Sequence, residues 1–139
     1  MSDEVIEVYT DGSRIGQGEG CGWAYSINYH GKSVYDSGGD KGKTNNQMEM
    51  IAVLNAFRKI RRKDIPVILY SDSAYVVNTL NWKYCIRSNE KLWDELIDEM
   101  LKFKDVKIVW VKAHEKNEKN NEVDNLAYEA AREQLAECG

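Results

Sequence analysis

Residues 5–13, Val-Ile-Glu-Val-Tyr-Thr-Asp-Gly-Ser, form an apolar run that ends at an aspartate and a glycine. Val, Ile and Tyr favour a buried strand, and Asp followed by Gly is typical of a strand-to-loop boundary. We therefore expect Asp11 at the edge of a sheet, before a glycine-rich loop over residues 12–22. Because an aspartate at the end of a buried strand is common, this stretch alone is also compatible with a simple turn.

Residues 67–73, Val-Ile-Leu-Tyr-Ser-Asp-Ser, repeat the same design and place Asp72 where the first run has Asp11. If the two strands are parallel neighbours, both aspartates lie at one end of the sheet. Two carboxylates that close together repel each other unless a cation neutralises them. The repeat therefore favours a functional interpretation of both residues.

The rest of the pattern predicts an α/β domain. Large residues alternate over residues 23–29, and His30-Gly31 has the spacing of a two-residue hairpin turn into a strand at residues 32–36. Helical patterns follow, and a further strand is predicted at residues 106–111. This order of elements predicts layers of helices around a mixed sheet.

The first predicted helix begins at a capping box, for which Thr44 and Gln47 have the required spacing. We expect the helix to end at residues 61–63, where basic side chains complement the helix dipole. Glu49 lies on the flank of the apolar stripe and not on the solvated face. A single helical glutamate is usually only solvated, so its meaning depends on its neighbours.

The last predicted helix follows a polar segment. Residues 112–120 contain no large apolar side chain, which is typical of an exposed loop. Asn121 is expected to cap the helix, and Asp124 then lies in its first turn, where the helix dipole favours an acid. His114 by itself is compatible with an ordinary surface position.

Composition limits the possible functions. The chain has 139 residues, 42% of them hydrophobic, which predicts one domain over residues 1–139. With 19 basic and 23 acidic side chains the net charge is −4, which argues against a general electrostatic grip on nucleic acid. Because the sequence shows neither a membrane-spanning stretch nor a signal peptide, we expect a cytoplasmic protein that does not contact a membrane. We also expect a monomer.

Four motifs, in this order, resemble those of the type 1 ribonuclease H family. They are YTDGS at residues 9–13, TNNQME at 44–49, YSDS at 70–73, and WVKAH at 110–114 followed by NEVDNLA at 121–127. The resemblance covers nearly the whole chain and implies a ribonuclease H-like fold, an α/β architecture with a five-stranded mixed sheet whose second strand is antiparallel. It also implies an endonuclease that hydrolyses the RNA strand of an RNA–DNA hybrid and leaves 5′-phosphate and 3′-hydroxyl ends.

The acids of these motifs make chemical sense as a metal site. An all-carboxylate set suits Mg²⁺ or Mn²⁺ and suits Zn²⁺ poorly. Two such ions can activate a water and stabilise charge on the leaving oxygen. By resemblance, Asp11 bridges both ions, Asp124 completes the nucleophile side, and Glu49 with Asp72 holds the leaving-group side. His114 resembles the family residue of proton transfer or product release.

The resemblance also implies contacts with the hybrid. Asn45, Asn46 and Gln47 match residues that meet the minor groove, where 2′-hydroxyls distinguish RNA from DNA. Thr44 and Asn89 resemble a pocket that grips a DNA phosphate away from the cut. The full set of predicted substrate-binding residues is Ser13, Thr44, Asn45, Asn46, Gln47 and Asn89.

Two alternatives remain open: a hybrid-binding module without catalysis, and a DNA-directed nuclease of the same fold. The complete acidic set argues against the first, and the Asn45-Asn46 pair argues against the second. Longer relatives carry a basic protruding helix and loop in the region between Leu80 and Leu92, which is nearly absent here. We therefore expect weak hybrid binding, unless residues 82–84 and the basic cluster at residues 58–63 compensate.

Overall fold

A five-stranded mixed sheet forms the centre of the molecule. In the computed structural model, which describes residues 4–112 and 117–137, the strands are β1 (Ile6–Ile15), β2 (Gly20–Tyr29), β3 (Lys32–Asp40), β4 (Val67–Ser71) and β5 (Val106–Trp110). Their order is β3-β2-β1-β4-β5. β2 is antiparallel to β1 and β3, while β4 is parallel to β1 and β5. The predicted fold class and the antiparallel second strand are confirmed.

Helices cover both faces of this sheet. They are α1 (Asn45–Lys59), α2 (Ala74–Leu80), α3 (Glu90–Met100) and α4 (Glu118–Glu137). Val8 belongs to the large core that includes α1 and α3, whereas its neighbour Tyr9 packs against the smaller core under α4. Because successive side chains of a strand point to opposite faces, α1 and α4 lie on opposite sides of β1. Within the described ranges, no helix has the length and apolar character needed to cross a membrane.

The large core follows the predicted apolar stripe of α1. Met50, Val53, Leu54 and Phe57 are all buried, and Trp93 of α3 is fully buried beside them. Complete burial of a side chain of this size contributes about 1.5–3 kcal/mol to folding. This packing fixes α1 against β1, and so fixes the position of its N-terminal turn.

The two strands of the first hairpin are longer than the glycine-rich sequence predicted. β1 continues to Ile15 and β2 begins at Gly20, so the expected loop over residues 12–22 is reduced to residues 16–19. Gly22 lies directly under α4, where a Cβ atom would be 2.7 Å from the backbone nitrogen of Ala131. Gly22 therefore permits close packing of α4 on the strand, whereas Gly16 and Gly18, which have positive φ angles, form the remaining turn.

The second hairpin has the predicted two-residue turn. Tyr29 of β2 pairs with Lys32 of β3, and both His30 and Gly31 between them have positive φ angles, 51° and 75°. Positive φ at both central positions is the geometry that matches the twist of a two-residue hairpin. β3 is longer than expected, because it continues beyond residue 36 to Asp40.

Two helix ends differ from the predicted ones. α1 ends at Lys59 and not at residues 61–63, because Ile60 adopts an extended conformation and is buried in the core. α4 begins at Glu118, where Asn117 Oδ1 accepts a hydrogen bond of 3.0 Å from the backbone nitrogen of Asn120. Asn117, and not residue 121, thus caps this helix, and residue 124 lies in the second turn instead of the first.

Candidate active site

Three aspartates from three separate segments of the chain meet where the pairing of β1 with β4 ends. Asp11 lies inside β1 and not at its end as predicted, because β1 continues to Ile15 in its pairing with β2. Asp11 lies in β1, Asp72 directly follows β4, and Asp124 lies in α4; each offers a carboxylate oxygen, and these oxygens are within 4.8 Å of one another. The parallel pairing of β1 with β4 ends at Tyr9 and Tyr70, two residues before the respective aspartates. The structure thus brings Asp11 and Asp72 together, as the repeated pattern predicted.

Glu49 reaches the same place from the first turns of α1. Its side chain is 5% exposed, and its carboxylate shares a hydrogen bond with Asp11. The helix can approach β1 this closely because Gly12 has no side chain: a Cβ atom there would lie 2.5 Å from the backbone nitrogen of Glu49. Gly12 therefore allows Glu49 of α1 to lie close to Asp11 of β1.

The backbone around Asp72 is held by its neighbours. Ser71 Oγ accepts a hydrogen bond of 3.1 Å from the nitrogen of Ser73, and Ser73 Oγ caps α2 by accepting one of 3.2 Å from Val76. The indole nitrogen of Trp110 donates to the carbonyl oxygen of Asp72 at 3.3 Å. These bonds fix the turn from which the Asp72 side chain projects.

The position of Asp124 depends on how α4 rests on the sheet. At Gly20 and Gly22 of β2, an added Cβ atom would collide with backbone atoms of Ala127 and Ala131. The helix backbone therefore lies directly on the strand, with no side chain between them. Asp124 is one turn before Ala127, and this contact places it beside Asp11.

Burial, and then mutual repulsion, disfavours the charged forms of Asp11 and Glu49. Burial raises the pKa of Asp11 far above its ordinary value of 3.8, and its hydrogen bond with Asp124 and the charges of Glu49 and Asp72 raise it further. Burial also raises the pKa of Glu49 well above 4.5, with Asp72 as the next largest cause. Without a cation, Asp11 and Glu49 therefore keep their protons to higher pH than isolated carboxyl groups do.

These residues fit a divalent cation. All the donors are carboxylate oxygens, the ligands that Mg²⁺ and Mn²⁺ prefer. Oε1 of Glu49 is buried, and it has no hydrogen-bond partner among residues 4–112 and 117–137. A buried, unpaired carboxylate oxygen is unfavourable unless a metal or a donor satisfies it. A bound cation would reduce the repulsion among the carboxylates and would also give Glu49 Oε1 a partner.

The four acids line a cleft of about 520 Å³. Its other lining residues are Gly12, Ser13, Asn45, Ser73, Asn125 and Tyr128. Ser13 and Asn45 are predicted substrate contacts, whereas Ser73, Asn125 and Tyr128 were not identified from the sequence. Tyr128 lies four residues after Asp124, so the helical period of α4 could have identified it.

The other predicted residues lie elsewhere. Gln47 and Asn89 line a separate cleft of about 400 Å³. Thr44 and Asn46 are exposed at the beginning of α1, where Thr44 completes the predicted capping box with Gln47. His114 lies outside the residues that the structure describes. The acids are thus gathered in one cleft, whereas the predicted substrate contacts extend across a wider surface.

Sequence relatives match this chain over most of their length. The profile of the family described as RNase H matches residues 3–132. A Clostridium botulinum protein named ribonuclease H is 39% identical, with 90% of this chain and 94% of the relative covered. The ribonuclease H of Chromobacterium violaceum is 34% identical, with 91% of this chain and 94% of the relative covered.

Solved structures show the same fold. The N-terminal RNase H domain of a Mycobacterium tuberculosis protein, solved as a fusion with maltose-binding protein, matches with a TM-score of 0.87 at 16% identity, covering 99% of this chain and 100% of that one. LC11-RNase H1, solved in complex with an RNA/DNA hybrid, matches with a TM-score of 0.82 at 21% identity, covering 94% and 99%. At these identities the likeness concerns the fold.

Proposed function

The chain belongs to the ribonuclease H family, and we propose that it is an endonuclease that hydrolyses the RNA strand of RNA–DNA hybrids by a two-metal-ion mechanism. The products would carry 5′-phosphate and 3′-hydroxyl ends. The observation that carries this proposal is the meeting of three aspartate oxygens within 4.8 Å of one another beside a buried glutamate. A module that only bound hybrids would not need four carboxylates next to a phosphate.

Two Mg²⁺ ions fit the ligand set, and Mn²⁺ should substitute for them. Asp11 hydrogen-bonds with both Asp124 and Glu49, which supports its assignment as the ligand common to both ions. Asp124 would complete the nucleophile side, and Glu49 with Asp72 the leaving-group side. When bound, the ions would activate the attacking water and stabilise the charge that develops on the leaving 3′ oxygen.

The residues around the acids would select and orient the hybrid. Asn45 lines the acidic cleft and Asn46 is exposed beside it, which supports their assignment to the minor groove, where the 2′-hydroxyl identifies the RNA strand. Ser13 lines the same cleft, which supports its assignment as a substrate contact. LC11-RNase H1, a neighbour in fold, binds an RNA/DNA hybrid, which supports a hybrid as the substrate here.

Two further roles are proposed. Thr44 and Asn89 would contact a phosphate of the DNA strand, at a distance from the acidic cleft. His114 would assist proton transfer or product release, which predicts that His114→Ala slows turnover but leaves measurable activity. Loss as complete as that expected from removing a metal ligand would contradict this role for His114.

A cleavage assay with matched substrates tests the proposed function. One sequence is prepared as RNA–DNA hybrid, duplex DNA and duplex RNA, each with an end label, and incubated with and without Mg²⁺. We expect Mg²⁺-dependent cuts in the RNA of the hybrid, with 3′-hydroxyl ends that a polymerase can extend. Cleavage of duplex DNA in preference to the hybrid would favour the DNA-directed alternative, and tight binding without cleavage would favour a binding module.

A further inference from the structure

Both polar atoms of the Gln47 side-chain amide form hydrogen bonds inside the protein. Oε1 accepts a bond of 2.9 Å from the backbone nitrogen of Thr44, and Nε2 donates one of 3.2 Å to Oδ1 of Asn89. The first bond belongs to the capping box of α1. The second joins residues that are 42 positions apart. This side chain is thus committed to two protein partners and differs from the exposed Asn45 and Asn46 beside it.

Asn89 is an unusual N-cap. It precedes α3 with φ 56° and ψ 34°, a left-handed conformation, and its side chain makes no capping hydrogen bond. Asparagine is among the best capping residues because its side chain can accept from the first turn of a helix. Here Oδ1 accepts instead from Gln47, and Nδ2 donates to Tyr75 Oη at 3.4 Å. The Asn89 amide is therefore oriented by the tertiary structure and not by its own helix.

The network is anchored in the core. The indole nitrogen of Trp93, which is fully buried, donates to Tyr75 Oη at 2.9 Å, and the two rings pack with centroids 5.5 Å apart. Tyr75 Oη therefore accepts from both Trp93 and Asn89. A chain of side chains thus connects the start of α1 to the start of α3 and to the core between them.

The donors that this arrangement leaves available suit an anion. Thr44 Oγ1 accepts from the nitrogen of Gln47 at 3.1 Å, so its hydroxyl proton can still be donated. Because Asn89 accepts through Oδ1, its amide group keeps a second N–H with no acceptor among residues 4–112 and 117–137. Lys43 and Lys91 line the same cleft as Asn89, although Glu90 and Glu95 do so as well.

We propose that Gln47 is a positioning residue for hybrid recognition, which turns the Asn89 amide so that its remaining N–H, together with the Thr44 hydroxyl, faces a phosphate of the DNA strand. The inference rests on the proposed function, because that phosphate belongs to the hybrid. It replaces the expectation that Gln47 itself meets the minor groove. If the Asn89 amide were reversed, its Oδ1 would face the phosphate and repel it.

A double-mutant cycle tests whether Gln47 acts through Asn89. Gln47→Met removes both hydrogen bonds of the amide at similar volume, and Asn89→Ala removes the proposed phosphate donor. Loss of a hydrogen bond to a charged group should raise KM for the hybrid about tenfold in each single variant. We expect kcat to change by less than about twofold, and the double variant to be no weaker than Asn89→Ala alone, because coupled residues are not additive.

Three controls separate positioning from other roles. Gln17→Met, the same change in the turn between β1 and β2, should leave KM unchanged. Gln47→Glu keeps an acceptor for the Thr44 nitrogen but cannot donate to Asn89, so it should retain the cap and still lose affinity. To correct for its added charge, Ser88→Glu places a carboxylate next to Asn89 without touching Gln47, and should raise KM less.

Two results would overturn the inference. One is an unchanged KM in Gln47→Met with only a lower melting temperature, which would make Gln47 a helix cap alone. The other is an undiminished effect of Gln47→Met in the Asn89→Ala background, which would mean that Gln47 contacts the hybrid directly. Side-chain ¹⁵N resonances of Asn89 should shift in Gln47→Met without any substrate. If the wild type does not cleave hybrids, the proposed function fails, while this NMR result still tests the positioning.

Discussion

Two residues of the same helical turn, Gln47 and Glu49, face two different sites and differ in how their polar atoms are satisfied. Glu49 points into the acidic cleft, where its Oε1 is buried without a partner in the described part of the chain. Gln47 lies over the separate cleft beside Asn89, and both polar atoms of its amide are bonded. The acidic cleft thus contains a hydrogen-bond acceptor without a partner in the described part of the chain, whereas the cleft beside Asn89 has its Gln47 amide fully hydrogen-bonded.

The difference corresponds to what each site must bind. A buried acceptor without a partner costs about 1–3 kcal/mol, which a bound cation can return. A satisfied network costs little in the free protein and holds its outward donors in one orientation. The acidic cleft therefore destabilises the free protein until a cation binds. The hydrogen bond between Gln47 and Asn89, in contrast, is already formed before the substrate binds.

Asp11→Asn should remove cleavage and increase the stability of the metal-free protein. The substitution removes one negative charge from a buried, repelling cluster and weakens a proposed ligand of both ions. Because metal ions supply several kcal/mol of transition-state stabilisation, hybrid cleavage should fall by at least about a thousandfold. The rate is measured on an end-labelled hybrid in Mg²⁺, and the melting temperature in EDTA.

The same measurements on Glu49→Gln and Asp72→Asn should show similarly severe losses of activity. Gln17→Met, which changes an exposed residue far from the acids, serves as the unaffected control. If Asp11→Asn retained activity near that of the wild type, the two-metal assignment would be wrong. If it instead destabilised the metal-free protein, the contrast between the two sites would lose its basis.

Gly12→Ala should disturb the acidic site while the recognition network remains intact. The new methyl group would meet the backbone of Met48 and Glu49, which cannot move without shifting α1. Overpacking of this kind typically costs about 1–3 kcal/mol. Gly39→Ala is the matched control, since the three atoms nearest to its methyl group all belong to the flexible side chain of Gln134. Urea unfolding of both variants measures the difference, and equal losses would contradict the proposed role of Gly12.

The stability of the metal-free protein should fall as pH rises. The pKa of Asp11 lies far above its ordinary value of 3.8, so the folded state holds its proton more tightly than the unfolded state. Stability is then highest in acid and is lost from about pH 4 upward, by up to about 1.4 kcal/mol for each pH unit and proton retained. Urea unfolding in EDTA between pH 5 and 8 measures this slope.

Asp11→Asn should give a shallower slope in the same experiment, and saturating Mg²⁺ should flatten the slope of the wild type. A slope of the opposite sign would show that the carboxylates do not repel in the folded state. Gln47→Met is a useful second control, because the network of Gln47 contains no group that titrates in this range. Its slope should match that of the wild type.

The smallest expected effect concerns salt. Two basic side chains of the cluster at residues 58–63 already have partners: Arg62 pairs with Asp64 at 2.9 Å, and Lys63 donates to the carbonyl oxygen of Phe57 at 2.9 Å. Few phosphates should then be neutralised, and each contributes roughly −0.9 to the slope of log affinity against log salt on B-form DNA. Hybrid binding by Asp11→Asn in Ca²⁺ should be weak, with a shallow slope.

A tight complex with a steep slope would mean that another surface grips the hybrid. The connection between α2 and α3 is the alternative, because Trp82 is 65% exposed and Tyr84 51% exposed there, with Lys83 between them. Trp82→Ala and Lys83→Ala would then reduce affinity strongly. On the present interpretation each changes it by less than about threefold, the effect of one exposed contact.

Features that depend on local patterns were predicted correctly from the sequence. Features that depend on packing between distant segments of the chain were not. The capping box of Thr44 and Gln47, the apolar stripe of α1 and the proximity of Asp11 to Asp72 all follow from patterns along the chain. The strand character of Gly20 and Gly22 does not, because it depends on a helix more than 100 positions away. A glycine pattern looks the same whether it permits a loop or a close backbone contact.

The site shows the same division. The identity of the acids follows from motifs, but the hydrogen bond between Gln47 and Asn89 spans 42 positions and has no local signature. The beginning of α4 was misplaced for a similar reason, since the polar run at residues 118–120 resembles a loop until the cap at Asn117 is known. Local rules identified the reactive groups, whereas tertiary contacts determined how the surrounding residues are used.

The direct contact of α4 with Gly20 and Gly22 has a consequence for how this protein can change over evolution. Most helix positions depend on the sizes of the side chains beneath them, so substitutions accumulated in a core gradually shift the helix. Here backbone meets backbone, and the separation has a lower limit that no exchange of neighbouring side chains can alter. Asp124 can therefore keep its distance from Asp11 while the remaining core residues diverge, as long as these two positions stay glycine.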